Sequence, residues 1–91
     1  MNPVRPGYFY TYVLTSDKTG TFYTGATNNL ERRLERHNSG NVYYTKNKLP
    51  VRLVYFEACL NKDDAYRRER YLKTGMGKRY LKNRLKGGLT G

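Results

Sequence analysis

The sequence predicts a small α/β domain of the α+β type, in which a mostly antiparallel three-stranded sheet is flanked by helices in the order ββα–β–αα. Three observations lead to this class. Two aromatic and β-branched runs near the N-terminus lie at hairpin distance from each other. Two later segments carry apolar side chains at helical spacing, and a third apolar run lies between them. Since 91 residues can bury one modest core, we expect a single domain over 1–91.

The first two strands are expected to form a hairpin. One is predicted over Tyr8–Leu14 and the other over Thr21–Gly25, with a turn-forming cluster between them. Because side chains alternate along a strand, Tyr12 shares a face of the first strand with the residues at 8, 10 and 14. By the same alternation Tyr23 and Gly25 share a face of the second strand.

The first helix is predicted over Asn28–Asn38, and a third strand over Val51–Ala58 follows a polar loop. Asn28 and Glu31 resemble a capping box at the start of the helix, and Gly40 is a plausible stop. One arc of the helical wheel holds Leu30, Arg33, Leu34 and His37.

The second helix is predicted to begin at Asn61, to run to Thr74 and to break at Gly75. Glu69 lies in the middle of its apolar arc, which otherwise holds Ala65, Leu72 and Met76. A short basic helix is expected over about Lys78–Leu85. The core therefore covers about residues 8–80, and the ends at 1–6 and 87–91 are expected to be flexible.

The composition indicates a polyanionic partner. The chain holds 18 Lys and Arg against 7 Asp and Glu, a net charge of +11. Between residues 62 and 86, ten basic and three acidic side chains leave a net charge of +7. Because self-repulsion opposes a compact state, such a charge favours binding to nucleic acid, an acidic protein or an anionic membrane.

Other features narrow the location. No apolar run approaches the length of a membrane-spanning helix, and the N-terminus lacks the apolar stretch of a signal peptide. No predicted helix has the large apolar face that binding to a membrane surface requires, so no membrane partner is expected. The single cysteine, Cys59, cannot form an internal disulfide and is predicted to be buried apolar filler. Together these features predict a cytoplasmic protein.

Three polar side chains interrupt the apolar pattern. Glu69 lies on the core face of the second helix, and Arg33 and His37 lie one turn apart beside the core stripe of the first. A carboxylate on an apolar face costs free energy unless it is paired or bound to a cation. Taken singly, Glu69 would be an ordinary ion-pair partner of Arg68 or Arg33, and His37 an ordinary hydrogen-bonded histidine.

Taken together, these residues form an ordered set that resembles the GIY-YIG nuclease family. The two triplets stand here as Tyr10-Thr11-Tyr12 and Tyr23-Thr24-Gly25, and Arg33 follows eight residues after the second. The stretch TGATNNLERRLERHNSG is similar to the family's second half-motif, and AYRRERYLK, which contains Glu69, resembles its metal-binding helix. The resemblance covers about residues 8–80 and is closest to small stand-alone bacterial members.

The chain departs from the family pattern at four positions. Tyr10 stands at the opening glycine of the first triplet, and Thr11 and Thr24 stand at the central isoleucines. Ala26 follows Gly25, where some relatives carry a lysine that polarises the site. These changes leave the reactive side chains in place.

The resemblance implies hydrolysis of DNA phosphodiester bonds with one Mg²⁺ or Mn²⁺ ion, held by Glu69. Tyr23 would be the general base, with Tyr12 hydrogen-bonded beside it. Arg33 would lower the pKa of the phenol and bind the phosphate, and His37 would orient a tyrosine or a phosphate oxygen. Gly25 would let the backbone turn tightly beside the substrate.

Basic side chains of the last two helices are expected to hold backbone phosphates without reading bases. They are Arg67, Arg68, Arg70, Lys73, Lys78, Arg79 and Lys82. Asn38, Tyr44 and Thr45 are weaker candidates for the same groove. The expectation is an endonuclease-like activity of low sequence specificity in DNA repair or processing. The shape of the substrate, the oligomeric state and a targeting protein stay open. The alternative is a non-catalytic nucleic-acid-binding module, which would not need Glu69.

Overall fold

The computed structural model of the chain describes residues 7–87. The ends predicted to be flexible lie outside these residues, except for position 87. The element order confirms the predicted ββα–β–αα arrangement. In chain order the elements are β1 (Phe9–Ser16), β2 (Phe22–Thr27), α1 (Leu30–Asn38), β3 (Val51–Cys59), α2 (Lys62–Leu72) and α3 (Gly75–Arg84).

β1 is the central strand of a sheet with the order β2-β1-β3, and both pairings are antiparallel. In the hairpin Tyr12 pairs with Gly25 and Leu14 pairs with Tyr23, so these four residues share one face as the alternation predicts. β2 and β3 are the two edges of the sheet.

One apolar cluster packs against each face of the sheet. On one face, Tyr10, Tyr12 and Leu14 pack with Leu30 of α1 and with Val51. On the other face, Val13 packs with Leu72 of α2 and Leu81 of α3. The predicted arc of α1 is confirmed, since Leu30 and His37 are buried and Arg33 and Leu34 are half-buried.

The hairpin and the first helix differ from the prediction at their ends. β2 does not end at Gly25 but continues to Thr27, because the pairing with β1 extends to Tyr10 and Thr27. Gly25 does not have the positive φ of a turn glycine. The prediction of a turn at Gly25 was therefore wrong. α1 is capped by Asn29 rather than Asn28, through a bond of 3.1 Å from the Arg32 N–H to the Asn29 side chain.

The C-terminal helices meet earlier than predicted. The hydroxyl of Thr74 accepts a hydrogen bond of 3.1 Å from the Gly77 N–H, so α3 begins at Gly75 rather than near Lys78. Met76 therefore belongs to α3 and not to the apolar arc of α2, and 67% of its surface is exposed. Cys59 ends β3 and is half-buried, so the prediction that it is fully buried was also wrong.

Candidate active site

The site lies at the β2 edge of the sheet, where the Tyr12 ring of β1 covers Gly25. A Cβ atom at Gly25 would lie 2.5 Å from the Tyr12 hydroxyl oxygen and 2.6 Å from the Cζ atom. Both distances are too short for a real Cβ contact. Glycine is therefore needed here because a phenol lies directly on the strand, and not because the backbone turns.

A buried chain of hydrogen bonds holds the Tyr12 hydroxyl. This hydroxyl and Nε2 of His37 lie 3.0 Å apart, and Nδ1 of His37 lies 2.8 Å from the Thr45 hydroxyl. All three residues are at most 1% exposed. Burial, with smaller contributions from the Arg33 and Arg36 charges, lowers the pKa of His37 to about 4.

His37 is therefore neutral at pH 7, with one ring nitrogen donating and the other accepting. Because both nitrogens are already bonded, His37 orients a tyrosine, and its buried ring offers no free nitrogen to a phosphate oxygen. Thr45 was predicted only as a weak candidate for the groove. Its hydrogen bond to His37 links α1 to the loop that follows it, and no local sequence pattern predicts this contact.

The two tyrosines have different environments. Tyr12 is fully buried, and burial followed by the charge of Tyr23 raises its pKa well above the usual range, although Arg33 opposes the rise. Tyr23 is half-buried, and its ring centroid lies 5.0 Å from that of His37 and 6.3 Å from that of Tyr12. The hydroxyl of Tyr12 bonds to His37, so the predicted pairing of the two tyrosines is a ring contact and not a hydrogen bond between hydroxyls.

Arg33 of α1 acts on the Tyr12 hydroxyl. It is half-buried, and its charge and a side-chain hydrogen bond both lower the pKa of Tyr12. The same charge lowers the pKa of His37. The guanidinium therefore acts directly on the hydroxyl cluster, where it favours any negative charge that develops.

Glu69 projects from the sheet-facing side of α2 with 18% of its side chain exposed. Its Oε2 accepts a hydrogen bond of 3.0 Å from Nζ of Lys73, one turn along the helix. The ion-pair partner is thus Lys73, and neither Arg33 nor Arg68. The Glu69 charge also contributes to the raised pKa of Tyr12. The carboxylate therefore belongs electrostatically to the same cluster.

Glu69 is the residue of the site that could provide a ligand to a divalent ion. Within residues 7–87, no group of three or more His, Cys, Asp or Glu side chains could hold a metal. Mg²⁺ is commonly held by one or two carboxylates, with water and substrate phosphate completing its shell. Glu69 supplies one such carboxylate beside the tyrosines, and its second oxygen stays available next to the Lys73 contact.

The predicted phosphate-binding residues differ in whether a carboxylate pairs with them. Arg68 forms a bidentate ion pair with Glu57 at 2.9–3.0 Å and lies over the rings of Tyr71 and Tyr80. Its hydrogen bonds go to Glu57 in this structure, and its contact with phosphate stays a prediction. Arg67 forms an exposed ion pair with Asp64. Among the predicted residues, Arg70, Lys78, Arg79 and Lys82 are exposed and form no ion pair with a carboxylate of residues 7–87.

Tyr23 lies between two clefts that carry lysines. One cleft, of about 290 Å³, has Lys73 and Lys78 in its walls. The other, of about 300 Å³, has Tyr44, Lys48 and Lys73. Lys73 thus borders both clefts, which is consistent with its prediction as a binding residue even though its ammonium group also contacts Glu69.

Two basic residues of the site region were absent from the sequence prediction. Arg32 and Arg36 line a polar cleft of about 420 Å³ together with Arg33. Their spacing of one helical turn next to Arg33 is a signal that the sequence contains. The helical wheel places them on the solvent side of α1, where charged residues are common and do not by themselves indicate a function.

A model of the GIY-YIG catalytic domain matches residues 8–86 of the chain. The chain belongs to the GIY-YIG family. A UPF0213 protein of Clostridium perfringens is 49% identical over 65 residues, covering 70% of this chain and 69% of that protein. A UPF0213 protein of Desulfotalea psychrophila is 42% identical over 71 residues, covering 76% of this chain and 63% of that protein.

A solved structure supports the same relationship. The solution NMR structure of a UPF0213 protein from Bacillus halodurans matches with a TM-score of 0.51 and 35% identity, over 81% of each chain. This GIY-YIG domain is thus homologous to small bacterial proteins, and the family implies a nuclease-type function and binding of nucleic acid. No helix within residues 7–87 is long and apolar enough to cross a membrane.

One departure from the family triplets has a structural explanation in this GIY-YIG domain. Thr11, at the centre of the first triplet, is buried on the α2 side of the sheet, and its hydroxyl donates a hydrogen bond of 2.9 Å to the Ala65 carbonyl. The polar group is therefore satisfied and ties β1 to the helix that carries Glu69.

Proposed function

We propose that this GIY-YIG domain is a metal-dependent, endonuclease-type phosphodiesterase that hydrolyses DNA with low sequence specificity in DNA repair or processing. The observation that carries the proposal is the convergence of five reactive side chains from β1, β2, α1 and α2 at one sheet edge. They are Tyr12, Tyr23, Arg33, His37 and Glu69. Any one of them has an ordinary structural explanation, but their clustering is what phosphodiester hydrolysis requires.

In the proposed reaction Tyr23 is the general base. Its half-buried position leaves room for water, whereas the Tyr12 hydroxyl is buried and engaged by His37. The deprotonated Tyr23 oxygen accepts a proton from the attacking water as the water oxygen bonds to phosphorus and the bond to the departing oxygen breaks. Tyr12 and His37 hold the geometry of the cluster.

Arg33 binds the phosphate and stabilises the negative charge that grows on it. Glu69 is the residue that would hold Mg²⁺ or Mn²⁺. A divalent ion bound there would supply positive charge to the phosphate oxygens and to the departing oxygen. The proposal that one carboxylate suffices is supported by the acid-poor composition and by the usual coordination of Mg²⁺.

Low sequence specificity follows from the kind of contacts that the chain offers. Arg70, Lys78, Arg79 and Lys82 are exposed on α2 and α3. Side chains of this type bind phosphates, and phosphates carry no sequence information.

The test is cleavage of a panel of linear, single-stranded, flapped and branched DNAs by the wild type and two variants, in Mg²⁺, Mn²⁺ or chelator. Glu69→Gln removes one negative charge from the site and should lower the rate at least about a hundredfold. Asp63→Asn removes the same charge from an exposed position of the same helix and should cleave normally.

The proposal fails if Glu69→Gln cleaves like the wild type, or if cleavage persists in chelator. Tight binding by the wild type without cleavage of any substrate in either metal would instead identify a non-catalytic nucleic-acid-binding module.

A further inference from the structure

A second basic surface adjoins the candidate active site on the α1 side. It is a cleft of about 420 Å³ between the end of β2 and the first turns of α1, here named the arginine cleft. Its lining residues are Thr27, Asn28, Asn29, Arg32, Arg33 and Arg36. A cleft of this size is at the lower end of the range for binding sites of small organic groups.

The charge of the arginine cleft is uncompensated within the described part of the chain. None of Arg32, Arg33 and Arg36 forms an ion pair with a carboxylate of residues 7–87. The helix places Arg32 and Arg36 one turn apart, where two like charges repel each other. Such an arrangement is stabilised when an anion enters the cleft.

Two neutral polar residues of the cleft, Thr27 and Asn29, already form hydrogen bonds. The Thr27 hydroxyl donates to the Asn29 carbonyl and accepts from the Asn29 N–H. The Asn29 side chain caps α1 through the Arg32 N–H. The guanidinium groups are therefore the part of this surface best able to bind a ligand, and their planar forks match the oxygens of a phosphate.

Arg33 connects the cleft to the reaction site. It lines the cleft and also acts on the Tyr12 hydroxyl. On the far side of the site, Tyr23 borders a cleft that contains Lys73 and Lys78. Positive side chains thus lie on both sides of the tyrosine cluster, as expected if a phosphate backbone passes across it.

We propose that the arginine cleft binds a phosphodiester group of the strand being cut, adjacent to the scissile phosphate, with Arg32 and Arg36 as its ligands. This inference rests on the proposed function, because the strand in the cleft is the strand that Tyr23 and Arg33 act on. It adds a substrate anchor on α1 to the proposed anchor on α2 and α3. The two anchors together set how far the strand extends across the active site.

The experiment measures binding of fluorescent DNA in chelator, where no turnover is needed. The double variant Arg32→Gln/Arg36→Gln should bind about tenfold more weakly, and the slope of log affinity against log salt should become shallower by roughly one. The single variant Arg84→Gln is the control. It removes a charge from an exposed helical arginine that lines none of the clefts described above, and it should change neither quantity measurably.

A second arm identifies the source of the phosphate. Single methylphosphonate linkages, which lack the phosphate charge, are placed in turn along the DNA. One linkage beside the scissile position should weaken wild-type binding about tenfold and should not weaken binding of the double variant further. Inorganic phosphate is titrated in parallel while the amide resonances of Arg32 and Arg36 are followed by NMR.

The outcomes are distinct. A methylphosphonate scan with the same profile for wild type and double variant overturns the proposal, even if inorganic phosphate perturbs the cleft, because the cleft then binds a free anion. Unchanged affinity and salt slope in the double variant overturn it as well. If the wild type cleaves nothing but the scan identifies one position that depends on Arg32 and Arg36, the phosphate site stands and the proposed catalysis fails.

Discussion

Tyr12 and Tyr23 stand in family-like positions of adjacent strands, yet they differ in burial and in hydrogen bonding. Tyr12 lies on Gly25, is fully buried and bonds to His37. Its pKa is raised chiefly by burial, which makes it a poor base in this conformation. Tyr23 touches the same ring system from the half-exposed side. At the scale of single residues, Tyr12 is therefore the buried tyrosine of the pair, and Tyr23 is the one that we propose as the general base.

The first prediction follows from this division. Tyr23→Phe keeps the ring contacts but removes the hydroxyl, so DNA affinity and fold should be retained while the cleavage rate falls by about 10²–10⁴, the usual contribution of a general base. Single-turnover cleavage and equilibrium binding measure the two quantities separately.

Two further variants test the assignment. Arg33→Ala should lose rate and some affinity, and combining it with Tyr23→Phe should cost less than the sum of the separate losses, because both groups serve one transition state. Normal cleavage by Tyr23→Phe together with an inactive Tyr12→Phe would transfer the base to β1.

His37 predicts a pH dependence of stability. Its pKa is about 4 in the folded protein against an ordinary value of 6.5, so the unfolded chain binds more protons between these values. The stabilisation is complete above pH 6.5 and is lost as the pH falls towards 4. Between pH 7 and pH 5 the free energy of unfolding should drop by about 2 kcal/mol, measured by urea denaturation.

The control for this prediction is clean because His37 is the single histidine of the chain. His37→Gln removes the titrating group, so its free energy of unfolding should change much less over the same pH interval. An equal loss in the variant would assign the pH dependence to other groups.

At the scale of elements, the setting of α2 decides where Glu69 points. Arg68 pairs with Glu57 of β3, and Tyr55 donates a hydrogen bond of 2.6 Å to the same carboxylate. Successive residues of a helix point about 100° apart, so holding Arg68 against β3 directs Glu69 towards the β2 side. The Arg68–Glu57 pair is thus a structural clamp that holds α2 against β3.

The clamp predicts unequal effects for neighbouring arginines. Arg68→Lys cannot reproduce the bidentate pair or the stacking on Tyr71 and Tyr80, and should lower the free energy of unfolding by about 1 kcal/mol. Arg67→Lys changes only an exposed ion pair with Asp64 and should cost less than about 0.5 kcal/mol. Denaturant midpoints compare the two; equal effects would show that the clamp contributes nothing special.

For the whole molecule, helices on both sides of the site carry part of the net charge of +11. Exposed basic residues lie on α2 and α3, and the arginine cleft lies on α1. A strand that contacts both surfaces neutralises several phosphates at once. In the proposed function these two basic surfaces are the sides of a groove centred on the tyrosines.

Binding to duplex DNA should accordingly depend steeply on salt. Neutralising four to six phosphates gives a slope of log affinity against log salt of roughly −4 to −5. Replacing Arg79 and Lys82 together by Gln should make the slope shallower by up to about two. A slope near zero, or a strong preference among duplexes of equal length, would contradict binding through phosphates.

Much of this architecture is determined by the sequence alone. Alternation placed Tyr23 and Gly25 on one face of β2, and helical periodicity placed Arg33 and His37 on one arc of α1, as the structure has them. The charge excess indicated a polyanionic partner. These properties are local or additive, since periodicity and composition do not depend on which residues meet in space.

Other features exist only in the tertiary structure. Glycine is required at position 25 because the Tyr12 ring of the paired strand lies on it, and His37 reaches Thr45 across a loop. Arg68 forms an ion pair with a carboxylate eleven residues earlier, on β3. Sequence periodicity gives the face on which a side chain lies, but its partner is selected by strand pairing and helix docking. The packed chain therefore decides which charged groups are paired and which remain open to a ligand.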